Sequence, residues 1–184
     1  MHEAGHAVLA MQCTIVREVE EVRIDACDTF EGSTGATIYT IDVEPWCGLV
    51  ISLAGLTAEA MIYGRFFVVK SGSDLTNALA KARTIAADRR VAEKSMRRLV
   101  EHATASRTLP FRDFFVDEIS DEELSFLNAG YEVARSVLER HRARHARMAA
   151  MLLAHGHVGK ATIEREFGSR RLFCALGLGR AAFL

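Results

Sequence analysis

The sequence predicts a mainly α-helical protein with a small β-hairpin near the N-terminus. Its 184 residues include only two prolines, and the helix-favouring residues alanine, leucine, arginine and glutamate are abundant. Apolar residues recur three and four positions apart over residues 74–103 and 120–154, which is the period of a helix with one buried face. Residues 15–24 instead alternate between apolar and charged side chains, as a half-buried strand does.

The N-terminal part is predicted to form a helix followed by two strands. The helix extends to about Cys13, and the strands cover residues 15–24 and residues 36–43, the second being rich in β-branched side chains. The stretch between them, Asp25 to Gly35, is rich in turn residues. We therefore expect the two strands to pair as a hairpin.

Residues 46–64, which follow Pro45, are predicted to form one apolar helix. This segment is nearly long enough to cross a membrane. However, it contains Glu59, Ser52 and Thr57 and lacks flanking clusters of basic residues. We therefore expect a helix that is buried in the protein core.

Asp74 is predicted to open a long helix over residues 74–103. An aspartate that follows Ser-Gly-Ser and precedes a helical pattern is a natural N-cap, because its carboxylate accepts hydrogen bonds from the first main-chain N–H groups. The next segment, residues 105–120, contains Pro110 and several aromatic residues, and we expect a surface loop there.

A second long helix is predicted from Ser120 to about Ala154. It starts at Ser-Asp-Glu-Glu, the spacing of a capping box, in which the serine and the second glutamate each bond the main-chain N–H of the other. We expect a kink at Gly130 and a stop at Gly156. A short helix is expected after Lys160.

The most specific chemical pattern is H-E-x-x-H, at residues 2–6 of the first predicted helix. Residues four apart lie on one helix face, so His2 and His6 can bind one metal ion, while Glu3 can reach a water molecule at that ion. The neighbouring residues are small or apolar, so the helix is expected to be buried, and buried imidazoles need polar partners. The pattern predicts a zinc site with Glu3 as catalytic base, in preference to a chance pair of surface histidines.

Two further histidines, His141 and His145, lie on the apolar stripe of the second long helix. We interpret them as packed or edge histidines rather than as a second metal site. The arginines of the same helix are interpreted as a solvated face: Arg135, Arg140, Arg142, Arg144 and Arg147. A formal net charge of −1 and the lack of an aromatic stacking platform argue against binding of nucleic acid.

The four cysteines contain no C-x-x-C pair, which argues against a metal cluster or a disulfide framework. We interpret them as reduced thiols of a cytoplasmic protein: Cys13, Cys27, Cys47 and Cys174.

Three segments together resemble a known family. They are HEAGHAVLA at residues 2–10, LAGLTAEAMIYG at 53–64 and SGSDLTNALAKA at 71–82. In this order they resemble the peptidase domain of FtsH-type proteases, the membrane-anchored zinc metalloproteases that are linked to an AAA ATPase. The resemblance implies a zinc peptidase domain over residues 1–168, followed by a C-terminal tail at residues 169–184.

Carried over residue by residue, the resemblance makes His2 and His6 zinc ligands, Glu3 the catalytic base and Asp74 the third zinc ligand. The residues alone leave the third ligand open, because other zinc proteases place a glutamate ligand on a second helix, as Glu59 would be. With the resemblance, Asp74 is the expected ligand and Glu59 is expected to support the ligands.

The resemblance also implies a function and partners. The implied function is hydrolysis of peptide bonds in unfolded or damaged proteins, which an AAA ATPase delivers. The implied assembly is a six-membered ring of identical subunits. The resemblance also implies a tether to the membrane through segments or partners absent from this chain. The sequence has no G-x-x-x-x-G-K-[ST] phosphate loop, so we expect the ATPase to be a separate domain or subunit.

Two expectations concern what surrounds this motif. A free α-amino group and the positive end of a helix dipole beside His2 disfavour a cation, so we expect missing upstream residues to complete the first helix.

The alternative to a peptidase is a non-catalytic, zinc-stabilised helical module that assembles with an ATPase ring. A purely structural site would not need Glu3, and this favours the peptidase.

Overall fold

A computed structural model describes residues 1–13, 16–24, 35–41, 44–64, 72–102 and 119–168. The protein is mainly α-helical, as the sequence predicts. Several predicted features lie outside the described residues: the turn-rich stretch except for Gly35, the expected surface loop up to residue 118, the tail at 169–184, and the cysteines Cys27 and Cys174.

The described chain forms eleven elements. In chain order they are α1 (His2–Gln12), β1 (Val16–Ile24), β2 (Gly35–Ile41), α2 (Pro45–Ser52), α3 (Ala54–Tyr63), α4 (Gly72–Ala86), α5 (Arg89–His102), α6 (Asp121–Arg140), α7 (Arg142–His155), β3 (His157–Gly159) and α8 (Lys160–Phe167). They divide between two compact units. The first consists of Met1–Val43 and Val137–Leu184, and the second of Glu44–Ser136.

A three-stranded antiparallel sheet in the order β2-β1-β3 forms part of the first unit. The predicted pairing of β1 with β2 is confirmed, with Val19 opposite Tyr39 and Val22 opposite Thr37. The third strand was not predicted from the sequence. It pairs Val158 with Val22, and at three residues it is too short to show a strand period.

Helix α1 packs against β1, β2 and α7 in the first unit. It is buried along almost its whole length from Ala4 onwards, and most of the buried residues are small. Small side chains let neighbouring elements approach the helix axis closely. The expectation that this helix is buried is therefore confirmed.

The second unit holds α2 and α3, where the sequence predicts a single apolar helix. The helix is interrupted at Leu53. The Leu53 carbonyl accepts a hydrogen bond from the Thr57 hydroxyl at 2.7 Å in addition to one from the Thr57 main-chain N–H at 2.9 Å. Such a side-chain bond to the preceding turn often accompanies a bend in a helix. The prediction of one continuous helix was wrong at this point.

The stretch Pro45–Tyr63 has the length and apolar composition of a membrane span, with a mean hydropathy of 1.5, but 78% of it is buried inside the protein. Trp46, Leu49 and Leu56 are among its buried side chains. The helix pair thus belongs to the core, as the sequence analysis expects.

The predicted helix over residues 74–103 is in fact two helices, α4 and α5. Asp88 separates them, because its carboxylate accepts hydrogen bonds from the main-chain N–H of Arg90 at 2.8 Å and of Val91 at 3.2 Å. This is N-cap geometry. The apolar period continues across the break, and for this reason the sequence pattern did not show it.

Helix α6 begins with the predicted capping box. The main-chain N–H of Ser120 bonds Glu123 Oε2 at 2.7 Å, and the main-chain N–H of Glu123 bonds Ser120 Oγ at 3.2 Å. Helix α6 continues through Gly130, so the kink predicted there stays a prediction, and the expected single helix breaks at His141. A Cβ atom on Gly130 would lie 3.0 Å from Leu49 Cδ2, so this glycine serves close packing against α2.

Candidate metal centre

His2 and His6 come together on one face of the first two turns of α1. Helix α1 starts with a hydrogen bond from the Gly5 N–H to the Met1 carbonyl at 3.1 Å, so both histidines are inside regular helix. The Nε2 atoms of His2 and His6 lie 3.1 Å apart, and the ring centroids are 4.9 Å apart with 65° between the ring planes. His6 is buried and His2 is half-buried.

This geometry fits a shared metal ion. Two zinc–nitrogen bonds of about 2.0–2.1 Å to atoms 3.1 Å apart enclose an angle of about 100°, which is close to tetrahedral. Without an ion, one Nε2–H can donate to the other Nε2, whereas a metal needs both lone pairs and moves the ring protons to Nδ1. The imidazole pair is therefore suited to bind a borderline cation such as Zn²⁺.

Glu3 lies beside this pair and is held from β2. Thr37 Oγ1 is 3.1 Å from Glu3 Oε2 and 3.1 Å from the main-chain oxygen of Glu3. The Glu3 side chain also lies against Gly35, where a Cβ atom would be only 2.3 Å from Glu3 Cγ. A half-buried carboxylate is thus fixed one residue along the helix from His2.

Asp74 belongs to the second unit, in the first turn of α4. Helix α4 begins at Gly72, so Asp74 is its third residue, and the predicted N-cap role was wrong. A carboxylate in the first turn is still favourable, because the helix N-terminus carries partial positive charge. Burial lowers the pKa of the Lys81 ammonium on the same helix, and the nearby charge of Asp74 partly offsets this. The assignment of Asp74 as zinc ligand stays a prediction.

Glu59, the alternative third ligand, is a buried residue of α3 in the second unit, with 6% of its surface exposed. A carboxylate this deeply buried needs strong hydrogen-bonding or charged neighbours. Its role as a ligand or as support for the ligands also stays a prediction.

His145 is a packed histidine, as the sequence analysis expects. It is buried on α7, and its Nε2 donates a hydrogen bond to the main-chain carbonyl of Met1 at 3.1 Å. Burial lowers the pKa of this imidazole, although the bond to the Met1 carbonyl acts in the opposite direction. His145 therefore anchors the start of the helix that carries His2 and His6.

The arginines of α6 and α7 were expected to form a solvated face. Arg140, Arg142 and Arg147 are exposed, while Arg135 and Arg144 are half-buried. Arg147 forms an ion pair with Glu166, and its guanidinium lies 5.9 Å above the ring of Phe167.

The two residues of β2 that contact Glu3 were not predicted from the sequence. The only signal was that Gly35 and Thr37 stand two positions apart where the predicted turn meets the predicted strand. A strand places residues two apart on one face, but the sequence did not show which helix that face meets.

No protein-family model matches the chain, and no curated protein matches it at a significant level.

Proposed function

We propose that this chain is a zinc metalloendopeptidase. The observation that carries the proposal is the arrangement on α1, where two imidazole Nε2 atoms lie 3.1 Å apart next to a carboxylate that is held in place from β2. Two imidazoles and an adjacent general base are the components of an H-E-x-x-H hydrolase. The resemblance of three separate segments to FtsH-type peptidases points to the same chemistry.

The chain's own residues would act as follows. His2, His6 and Asp74 hold the ion and leave one position open to water, with Glu59 supporting the ligands. The bound ion would supply a Lewis acid that makes water acidic near neutral pH and stabilises negative charge on the substrate oxygen. Glu3 accepts a proton from the water as its oxygen attacks the peptide carbonyl carbon. Glu3 then donates this proton to the amine that leaves when the C–N bond breaks.

An extended polypeptide is the proposed substrate, and β2 is the proposed place where it binds. In the described sheet β2 is an edge strand, because β1 lies on one side of it only. An edge strand can take up an extended peptide through main-chain hydrogen bonds, which suit substrates of varied sequence. Strand β2 also carries Thr37 and Gly35, so a peptide bound along this strand would run close to Glu3.

Unfolded proteins are the substrates that fit this kind of recognition. A compact protein does not expose a free extended segment, so an ATP-driven partner would be needed to deliver one. We propose an AAA ATPase domain or subunit in this role and a six-membered ring as the assembly. A cytoplasmic location, with a membrane tether through partners or segments outside this chain, is part of the same proposal. The ATPase, the ring and the membrane tether rest on the family resemblance, whereas the cytoplasmic location rests on the scattered cysteines.

The experiment that tests the function compares the wild type with Glu3→Gln. Both purified proteins are loaded with zinc and incubated with an unfolded protein such as casein, without ATP. We expect the wild type to cleave and the variant to lose about 10²- to 10⁴-fold in rate while it keeps its zinc, because glutamine cannot accept the proton. Equal cleavage by both proteins would contradict the proposal. Zinc binding without cleavage by either would favour the non-catalytic, zinc-stabilised module.

A further inference from the structure

Among the described side chains, two residues of strand β2 meet Glu3 of helix α1. The two residues that make this approach, Gly35 and Thr37, lie two apart on the strand and so share one face. One of them leaves space for the Glu3 side chain, and the other binds its carboxylate. We propose that Gly35 and Thr37 are positioning residues that fix the Glu3 carboxylate for proton transfer. This inference rests on the proposed peptidase function.

Thr37 limits the positions that the carboxylate can take. Its hydroxyl is within 3.1 Å of both Glu3 Oε2 and the Glu3 main-chain oxygen. The hydroxyl has one hydrogen, and both neighbours are acceptors when Glu3 is ionised, so the hydrogen is shared between them. A bond to an ionised group is among the stronger hydrogen bonds in proteins. It restrains a side chain that otherwise rotates about three torsions.

Gly35 limits the same side chain from another direction. A Cβ atom at this position would lie 2.3 Å from Glu3 Cγ, 2.7 Å from Cδ and 2.6 Å from Oε1. Real Cβ atoms do not approach other atoms this closely, so any other residue would displace the flexible Glu3 side chain. The glycine is thus explained by space and not by an unusual backbone angle, since the positive-φ glycines of the described residues are Gly64, Gly156 and Gly168.

The positions of both contacts matter for catalysis because a general base acts only within hydrogen-bond reach of the proton that it removes. A displacement of about 1 Å can cost about 10²-fold in rate. Residues that orient the groups around a metal are typically worth about 10- to 100-fold. Neither Thr37 nor Gly35 needs to touch the substrate or the ion for this effect.

The first test replaces Thr37 by valine, which keeps the shape and removes the hydroxyl, and by serine, which keeps the hydroxyl. We expect Thr37→Val to lower kcat for casein cleavage by about 10- to 100-fold, with KM and zinc affinity within about twofold of the wild type. Thr37→Ser should restore most of the rate. Thr84→Val is the matched control, because Thr84 also donates to a carbonyl, that of Ala80 at 2.9 Å, on an exposed part of α4.

The second test replaces Gly35 by alanine. We expect the same loss of kcat with zinc affinity retained, since the added methyl group moves Glu3 and leaves His2 and His6 in place. Gly159→Ala is the matched control in the same sheet, because a Cβ atom there would come no closer than 3.4 Å to a neighbouring atom. An unchanged kcat in both Thr37→Val and Gly35→Ala would overturn the proposal. A loss of zinc binding equal to the loss of rate would overturn it as well.

A third measurement separates this inference from the peptidase function itself. The melting temperatures of the zinc-free wild type, Thr37→Val, Glu3→Ala and the double variant form a cycle that reports the coupling of the two side chains without any activity. We expect the shift for Thr37→Val to be smaller in the Glu3→Ala background. Additive shifts would overturn the contact even if the wild type cleaves casein. If the wild type does not cleave, the peptidase function fails, and the cycle still decides the contact.

Discussion

The Nε2 atom of His145 lies 3.1 Å from the main-chain oxygen of Met1, so a residue of α7 fixes the first turn of α1. The carbonyl can only accept, and the imidazole must therefore carry its proton on Nε2. The Met1 carbonyl also accepts the first hydrogen bond of α1, from the Gly5 N–H at 3.1 Å. The histidine pair of the candidate metal centre thus starts from an anchored helix end.

This contact predicts a dependence of stability on pH. Burial holds the pKa of His145 below its ordinary value of 6.5 in the folded protein. As the pH falls below about 6.5, the His145 imidazole of the unfolded chain takes up a proton before that of the folded chain does. The contribution of His145 to the free energy of unfolding is therefore fully present above this pH and is lost as the pH falls through the folded pKa. We expect the melting temperature of the zinc-free wild type to fall between pH 8 and pH 5.

The variant that checks this is His145→Gln, whose amide N–H can donate to the Met1 carbonyl and does not titrate. Its melting temperature should change less between pH 8 and pH 5 than that of the wild type. His155→Gln, at the exposed end of the same helix, is the control and should follow the wild type. Parallel pH curves for all three proteins would show that His145 is not responsible.

Zinc should stabilise the fold through His2 and His6. A ligand present at 100 times its Kd adds about 2.7 kcal/mol to the free energy of unfolding. For a chain of this size that corresponds to a rise in melting temperature of about 5–10 °C. His6→Ala removes one of the two imidazoles and should abolish the rise. The measurement is thermal unfolding with and without zinc.

His155→Ala serves as control for the zinc experiment, because His155 is exposed and lies at the C-terminal end of helix α7, on a different helix from His2 and His6. This variant should keep the full zinc-dependent rise. An undiminished rise in His6→Ala, or its loss in His155→Ala, would mean that zinc binds elsewhere.

The parts of the fold and site that the sequence predicts are those with local causes. The helical period alone places His2 and His6 on one face, and it does so wherever the helix packs. The capping box at Ser120 is likewise an exchange of bonds between residues three apart. The strand pair follows from two short patterns and the turn residues between them.

The parts that the sequence did not predict have distant or competing causes. The contact of Thr37 with Glu3 joins residues 34 positions apart, and no local pattern encodes it. The break at Leu53 falls inside a continuously apolar segment, so the apolar pattern does not mark it. Helix α6 continues through Gly130, where Leu49 of α2 packs against the glycine, and this tertiary contact could not be read from the weak helix propensity of that residue.

The capping box of α6 should contribute measurably to stability. Ser120→Ala removes the side-chain acceptor for the Glu123 main-chain N–H and should lower the free energy of unfolding by about 1 kcal/mol. Ser125→Ala is the matched control within the same helix. The Ser125 hydroxyl bonds the Asp121 carbonyl at 2.8 Å, and such a bond does not stabilise a helix interior. Urea unfolding should therefore show a loss only for Ser120→Ala, and equal losses would contradict a specific cap.

The third zinc ligand can be identified by a pair of isosteric substitutions. Asp74→Asn and Glu59→Gln each remove one carboxylate charge and keep the shape of the side chain. If Asp74 is the ligand, Asp74→Asn should weaken zinc binding by more than about 100-fold, because residues that merely support ligands are already worth about 10- to 100-fold. Glu59→Gln should have an effect within that smaller range. The measurement is competition with a chromophoric chelator at fixed pH.

The effect of Asp74→Asn on zinc must be separated from its effect on α4. Asp74 lies in the first turn of this helix, where loss of a negative charge costs about 0.3–1 kcal/mol whether or not a metal binds. In the zinc-free protein this is a fall in melting temperature of at most about 4 °C. A loss of zinc affinity of about 100-fold corresponds to about 2.7 kcal/mol of binding free energy. This is larger than the change in the free energy of unfolding that the lost helix charge causes. A larger loss of affinity in Glu59→Gln than in Asp74→Asn would instead assign the ligand to Glu59.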